Sequence, residues 1–172
     1  MADMQGAPHA VWAFTEHEHR EIVRGIDHIH DVACEIGAWV TPELAGRLTD
    51  ILRWLDHDLE PHISWEESWL YPEIDTRTGT PWATRSARFD HRQIRDMADR
   101  FRTDQTLIHH DAHERVPELR CHLFGLEALL RAHIDREERY LIPLLADDAS
   151  IGPRTAPDAT PAAAGGSTAR TG

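Results

Sequence analysis

Two stretches of eleven residues are nearly the same, and both contain side chains that bind metal ions. They read HISWEESWLYP and HIDREERYLIP, and six of the eleven positions are identical. In the first stretch Glu66 follows His62 by four residues, and in the second Glu137 follows His133 by four. Residues four apart lie on one face of a helix, so each pair can present an imidazole and a carboxylate to the same ion. The repeat therefore predicts two matching halves of a metal site.

Both pairs continue the apolar stripes of predicted helices. The stripe that contains Leu55 and Leu59 runs on into the first pair, and a stripe of leucines runs on into the second. A carboxylate on a buried stripe is costly unless it is paired or bound to a metal. The two glutamates are therefore expected in the core, as ligands.

Two further histidines complete the candidate site. The segments EHREI and DHRQI form a second, weaker repeat, which puts His19 and His91 in equivalent positions. His19 lies 43 residues before His62, and His91 lies 42 residues before His133. Each also falls on the apolar stripe of its own predicted helix. The candidate metal ligands are His19, His62, Glu66, His91, His133 and Glu137.

These four imidazoles and two carboxylates suit iron, manganese or zinc, because no cysteine is placed to add a thiolate. Six side chains are too many for one tetrahedral zinc ion. They fit two metal ions that share the carboxylates and have two imidazoles each. Such a pair would keep open positions for a small ligand.

Helical periodicity predicts the elements that position these residues. Thr-Pro pairs at 41–42 and 80–81 are start signals, Pro61 predicts a kink, and Pro72 predicts the end of a helix. The predicted helices cover about 11 or 15 to 36, 42–71, 81–101 and 117–145. Residues 102–116 fit either a longer third helix or a polar connection. The pattern predicts an all-α, antiparallel up-down-up-down four-helix bundle built from two similar helical hairpins.

The order and spacing of the six candidate ligands resemble those of the hemerythrin-like family, also called HHE cation-binding domains. The resemblance spans roughly residues 15–145 and includes the tails EExxLYP and EExxLIP. It implies a four-helix bundle around an oxygen-bridged, non-haem di-iron centre. It also implies that Glu66 and Glu137 bridge the irons, with the four histidines as terminal ligands. A ferritin-like site is disfavoured, because it uses Glu-x-x-His rather than His-x-x-x-Glu.

One position departs from the family's oxygen carriers. The respiratory hemerythrins have H-x-x-x-H on the third helix, whereas this chain has Arg95 four residues after His91. One terminal imidazole is therefore missing, which argues against plain reversible oxygen transport. Arg95 would either stabilise a bound anion or form a salt bridge with a glutamate of the bundle.

The main functional hypothesis is a di-iron protein that binds or reduces dioxygen, peroxide or nitric oxide. Whether it is an enzyme is left open. The alternatives are iron storage, delivery or sensing without turnover, and a helical interaction module that needs no metal. The glutamates that follow the ligand glutamates, Glu67 and Glu138, are candidate partners of the imidazoles or solvated surface groups.

Composition excludes several other classes. The net charge of −12 argues against nucleic acid or an anionic membrane as a partner. The sequence has no apolar run near the length of a spanning helix and no signal-peptide pattern, so a cytoplasmic location is expected. Cys34 and Cys121 match no metal spacing and are predicted to be buried, reduced thiols. Residues 1–14 are predicted to be an extension, 15–148 the bundle and 149–172 a disordered tail.

Overall fold

The computed structural model describes the backbone of residues 8–37 and 41–146 and most side chains from Thr15 to Leu145, apart from residue 16, residues 38–40 and residues 107–114. Within that part of the chain every regular element is a helix, as expected from the sequence. The predicted tail, residues 149–172, and the first seven residues lie outside it. The boundary at residue 14 stays a prediction, although the first helix already includes residues 8–14.

The helices fall into four segments. The first segment is α1, Pro8–Glu35. The second helical run, residues 42–78, contains α2 (Pro42–Trp54), α3 (Glu60–Trp65) and α4 (Tyr71–Thr78), separated by π-helical turns at Leu55–Leu59 and Glu66–Leu70. The remaining elements are α5 (Arg85–Arg136), a π-helical turn at Glu137–Leu141, and α6 (Pro143–Ala146).

Each of these π-helical turns ends two residues before a proline. The three prolines are Pro61, Pro72 and Pro143. Proline has no N–H, and its ring collides with the carbonyl four residues earlier, so a regular α-helix cannot pass through it undisturbed. The residue before the proline donates to the carbonyl five residues back instead, as Ile142 does to Glu137 at 2.9 Å. The predicted kink at Pro61 therefore takes the form of a widened turn.

Several predicted helix boundaries differ from the structure. The first helix begins at Pro8 rather than near residue 11 or 15, and Pro117, the predicted start of the last helix, lies inside α5. The second run does not end before Pro72 but continues to Thr78, because the π-helical turn accommodates the proline. It ends at Gly79, whose φ of 68° is in the left-handed region that glycine adopts without strain. The next helix starts at Arg85 rather than at Pro81.

Helix α5 contains two segments of the fold. Its backbone is helical over 52 residues, including residues 102–116, for which the sequence predicts either a longer third helix or a polar connection. A straight helix of that length would be about 78 Å long. Yet His91 Nε2 lies 3.1 Å from His133 Nε2, and His122 is hydrogen-bonded to Asp104. The chain therefore folds back within α5, which gives a first arm (residues 85–106) and a second arm (residues 115–136).

Two apolar clusters fill the interior, and the candidate ligands lie between them. The larger cluster includes Ile22, Ile63 and Ile134, while the smaller includes Leu70 and Leu141. In the second run, the first ligand pair lies along the sequence between Leu59 of the larger cluster and Leu70 of the smaller one. In the last segment, the second pair lies between Leu130 and Leu141 in the same way. The fold thus holds a polar layer inside an apolar core.

Two further observations bear on the sequence analysis. Cys34 and Cys121 are exposed, so the prediction that they are buried is wrong. Both lie on helix faces that the apolar stripes leave outside. Among the described residues, no helix has both the length and the apolar character needed to cross a bilayer.

Candidate metal centre

All six candidate ligands are buried and come together from the four segments. The most exposed of them, His62, has a relative solvent exposure of only 4%, and Glu66, His91 and Glu137 are fully buried. Their ligand atoms form two groups, within which all atoms lie within 4.8 Å of one another. One group is Glu66, His91, His133 and Glu137, and the other is His19, His62 and Glu66. Glu66 belongs to both groups.

The carboxylate of Glu66 lies between two pairs of imidazoles. Its Oε1 is 3.0 Å from His62 Nε2 and 3.6 Å from His19 Nε2. Its Oε2 is 3.1 Å from His91 Nε2 and 3.7 Å from His133 Nε2. Each oxygen therefore faces its own pair of nitrogens, which is the arrangement that a carboxylate bridging two cations requires.

Glu137 also contacts both groups but through one oxygen. Its Oε2 is 3.3 Å from His19 Nε2 and 3.6 Å from His133 Nε2. Its Oε1 accepts a hydrogen bond from the hydroxyl of Tyr71. The two glutamates are thus equivalent in sequence but not in their surroundings.

Several buried atoms at this centre have no hydrogen-bond partner among the residues that the structure describes. Those that face the other ligands are Nε2 of His19, Nε2 of His62, both carboxylate oxygens of Glu66, and Oε2 of Glu137, while Nδ1 of His62 and Nδ1 of His133 are also without one. Unsatisfied buried polar atoms are rare in folded proteins because each costs free energy. The atoms that face the other ligands converge on one another, and all can donate a lone pair. The residues therefore fit bound metal cations of the first transition row.

Without a metal, the centre holds protons in its place. Burial alone would lower the pKa of His19, but the carboxylates of Glu137 and Glu66 outweigh it and raise that pKa to about 9. Burial and the same two carboxylates act on His133, whose pKa is also raised. Burial opposes ionisation of Glu66, yet the surrounding imidazoles hold its pKa well below the usual range. The two carboxylates thus favour positive charge at the centre, which protonated imidazoles supply when no metal is bound.

Carboxylates also lie behind the imidazoles. His91 Nδ1 is 2.9 Å from Glu67 Oε1, and His19 Nδ1 is 3.3 Å from Glu138 Oε1. His133 Nδ1 is 3.8 Å from Asp90, which pairs with a neighbouring arginine. A carboxylate at Nδ1 fixes the ring so that Nε2 points at the centre. The sequence predicts that Glu67 and Glu138 are either partners of the imidazoles or solvated surface groups. Both lie where partners of the imidazoles would be.

Arg95 is engaged in salt bridges. Its guanidinium lies 2.8 Å from Glu60 and 3.0 Å from Glu67. Arg95 and His91 together keep the pKa of Glu67 low, despite the opposing effect of burial. Of the two roles considered for Arg95, the structure has the salt bridge, and the arginine supports His91 through Glu67.

Tyr71 is a residue of the centre that sequence reasoning missed. Its buried hydroxyl donates to Glu137 and lies 3.0 Å from His91 Nε2. Burial and the charges of Glu66 and Glu137 raise its pKa, so the hydroxyl keeps its proton. The sequence contained one signal for Tyr71, a difference between the two copies of the repeat. LYP in the first stretch corresponds to LIP in the second. Because Ile142 has no hydroxyl, it offers no matching hydrogen bond to Glu66. Of the two glutamates, only Glu137 therefore has a carboxylate oxygen that accepts a hydrogen bond from a described residue.

The fold and the buried histidine–glutamate cluster define a helical, cation-binding protein. A sequence model of the hemerythrin HHE cation-binding domain matches residues 11–145, most of the chain. The chain therefore belongs to the hemerythrin HHE family. No curated protein and no solved structure gives a significant match. The assignment of the six residues as ligands stays a prediction that this geometry supports.

Proposed function

We propose that this protein holds two iron ions with an oxygen bridge and uses them to bind or reduce a small oxidant such as dioxygen, peroxide or nitric oxide. The observation that carries the proposal is the position of Glu66, whose two oxygens each face a separate pair of imidazoles. Two ions held in this way would supply reducing equivalents and open coordination positions to a small ligand.

Each proposed ion has its own set of protein ligands. His19 and His62 would hold one ion, while His91 and His133 would hold the other. Glu66 would bridge them through both oxygens, and Glu137 would bind between the two sets. Iron is favoured over manganese or zinc by family membership and by the balanced set of nitrogen and oxygen donors. Tyr71 keeps a proton beside Glu137, where it orients that carboxylate.

The proposed arrangement of the helices is an antiparallel, up-down-up-down bundle. Contacts within α5 support it, because residues further along the first arm contact residues that come earlier in the second arm. His91 contacts His133, Met97 lies beside Gly125, and Asp104 contacts His122. Two hairpins of this kind would bring one lone histidine and one His-x-x-x-Glu pair each to the same level.

Reaction with an oxidant is favoured over plain oxygen transport or bulk iron storage. Arg95 replaces the extra histidine of the carriers and is paired with glutamates, so the coordination differs. The cluster is enclosed between two apolar clusters, which leaves room for two ions rather than for a mineral. A cytoplasmic location agrees with the exposed, unpaired cysteines.

Elemental analysis combined with absorption spectra tests this function. We expect two irons per chain, an absorption band of an oxygen-bridged pair, and spectral changes on exposure to air, peroxide or nitric oxide. His62→Ala and His133→Ala should each lose metal, whereas the exposed His57→Ala is the matched control and should keep it. A protein that contains no metal, or a single zinc ion, would contradict the proposal.

A further inference from the structure

A cleft of about 640 Å³ lies between α1 and the second helical run, and it leads to the candidate metal centre. One wall is formed by residues of α1 and the other by residues 54–65. His62, one of the six candidate ligands, is part of the lining. The cleft is therefore in direct contact with the buried centre.

The side chain of His62 is the least restrained of the four imidazoles. Only 2% of the side chain is exposed, yet neither ring nitrogen has a hydrogen-bond partner in the described part of the chain. By contrast, the Nδ1 atoms of His19 and His91 each have a carboxylate beside them. No hydrogen bond from the described residues holds the ring of His62, although its Nε2 lies 3.0 Å from Glu66 Oε1, so the ring can accept an ion from the cleft without losing a hydrogen bond.

The charges that line the cleft suit a cation. Glu21 is paired with Arg24 at 2.5 Å, whereas neither Glu18 nor Asp58 forms an ion pair within the described part of the chain. Imidazoles of His28 and His57 also border the cleft. Carboxylates and imidazoles can replace the water ligands of a divalent first-row metal ion. An anionic ligand would be repelled by the same lining.

The walls of the cleft are already in place. A Cβ atom at Gly25 would come within 2.1 Å of the Trp54 indole, so glycine is what allows this tryptophan to pack against α1. Trp65 stacks on Trp69 with 5.5 Å between the ring centroids. These contacts fix both aromatic walls, and an ion would need no large rearrangement to reach His62.

We propose that this cleft is the route by which a hydrated divalent metal ion reaches the buried centre, with Glu18 and Asp58 attracting the ion and His62 receiving it first. The inference rests on the proposed metal site and adds how that site is filled. It concerns the rate of metal uptake, whereas the proposed function concerns the loaded centre. The two can therefore be tested separately.

Stopped-flow absorption with Co²⁺ as the probe tests the route in metal-free, full-length protein. Asp58→Asn removes one charge from the cleft, and Asp96→Asn removes one from an exposed position of α5 that forms no ion pair. We expect uptake by Asp58→Asn to be slowed about three- to tenfold at low salt, and uptake by Asp96→Asn to be unchanged. The final Co²⁺ content should equal that of the unaltered protein in both variants.

Two further measurements sharpen the test. Glu18→Gln combined with Asp58→Asn should slow uptake more than either change alone. The difference from the unaltered protein should shrink at 1 M salt, where the screening length is about 3 Å. Thermal unfolding of each metal-free variant shows that it is folded.

Equal uptake rates in Asp58→Asn, Glu18→Gln and Asp96→Asn would overturn the route. So would a variant that takes up Co²⁺ normally but, once loaded with iron, reacts more slowly with peroxide, since the cleft would then admit the oxidant instead. If the unaltered protein takes up no Co²⁺ and no iron, the proposed function fails together with the route. Slow uptake with full final metal content supports the route.

Discussion

At the scale of single residues, Glu66 and Glu137 perform different tasks although the repeat makes them equivalent. Glu66 has both oxygens turned toward imidazoles, whereas Glu137 gives one oxygen to Tyr71. The cause is one substitution, tyrosine at position 71 where the second copy has Ile142. A single hydroxyl therefore makes a symmetric ligand set asymmetric.

The raised pKa of His19 leads to a prediction about proton release. In the metal-free protein this pKa is about 9, so His19 is protonated at pH 8, where a histidine of ordinary pKa is not. Metal binding must displace that proton. Calorimetric titration with Co²⁺ at pH 8, in buffers of different ionisation enthalpy, should show about one proton fewer released by His19→Ala than by the unaltered protein.

The same pKa fixes how metal-free stability changes with pH. His19 has a higher pKa folded than unfolded, so its contribution is complete below about pH 6.5 and is lost as the pH rises through about 9. Metal affinity should change in the opposite direction and increase up to about pH 9. Proton release that is equal in the two proteins would show that His19 is neutral before metal binds.

At the scale of elements, the π-helical turn at Glu66–Leu70 brings Tyr71 into the centre. In an α-helix, residues five apart are about 140° apart around the axis, because each residue turns by about 100°. In a π-helical turn the N–H of the residue five positions on donates the closing hydrogen bond to the carbonyl of the first residue, as Tyr71 does to Glu66, so it returns to nearly the same face. Pro72 imposes the turn, and the turn aligns Tyr71 with Glu66.

This relation predicts that Pro72 and Tyr71 are energetically coupled. Tyr71→Phe removes a buried hydrogen bond to Glu137 and should destabilise the protein by about 1–3 kcal/mol. Pro72→Ala restores an N–H and favours a regular α-helix, which would move Tyr71 away from Glu137. In urea unfolding, the double variant should deviate from additivity by about 0.5–3 kcal/mol.

Pro61 provides the control for that cycle. It follows another π-helical turn, Leu55–Leu59, and lies ten residues before Tyr71. The effects of Pro61→Ala and Tyr71→Phe should therefore add, within about 0.5 kcal/mol. Additive effects of Pro72→Ala and Tyr71→Phe would mean that the turn does not position the tyrosine.

At the scale of the whole molecule, the centre joins four helical segments across a gap between two apolar clusters. Nε2 of His19 and His62, both oxygens of Glu66 and Oε2 of Glu137 have no hydrogen-bond partner among the described residues. Bound cations would neutralise the carboxylates and connect all four segments. Metal binding is therefore expected to stabilise the fold as well as to supply reactivity.

Removal of the metal should lower the stability of the whole protein. With free metal at about 100 times the dissociation constant, binding to the folded state alone adds about 2.7 kcal/mol. Urea unfolding before and after chelation should show a loss of at least this size. In His133→Ala, which removes a ligand of one ion, the midpoint should fall less on chelation than in the unaltered protein, whereas the exposed His57→Ala should respond like the unaltered protein. An unchanged midpoint after complete metal removal would contradict a structural role for the ions.

The helical class, the repeat and the six candidate ligands followed from the sequence, because burial and spacing at four residues are local properties of helices. For Glu67, Glu138 and Arg95 the sequence left two roles open, since a single sequence does not show which partner a charged side chain contacts. The extent of the second run was misjudged because a proline usually ends a helix, whereas here three prolines follow widened turns.

What the sequence by itself determined is the donor set: four imidazoles and two carboxylates on buried helix faces, in two matching halves. What only the tertiary structure decided is how those donors differ. Tyr71 lies five residues after Glu66, outside any α-helical stripe, and the widened turn before Pro72 brings it to Glu137. Packing between α1 and the second run likewise leaves the cleft beside His62. Both features depend on contacts between segments, which the spacing of residues along one helix does not contain.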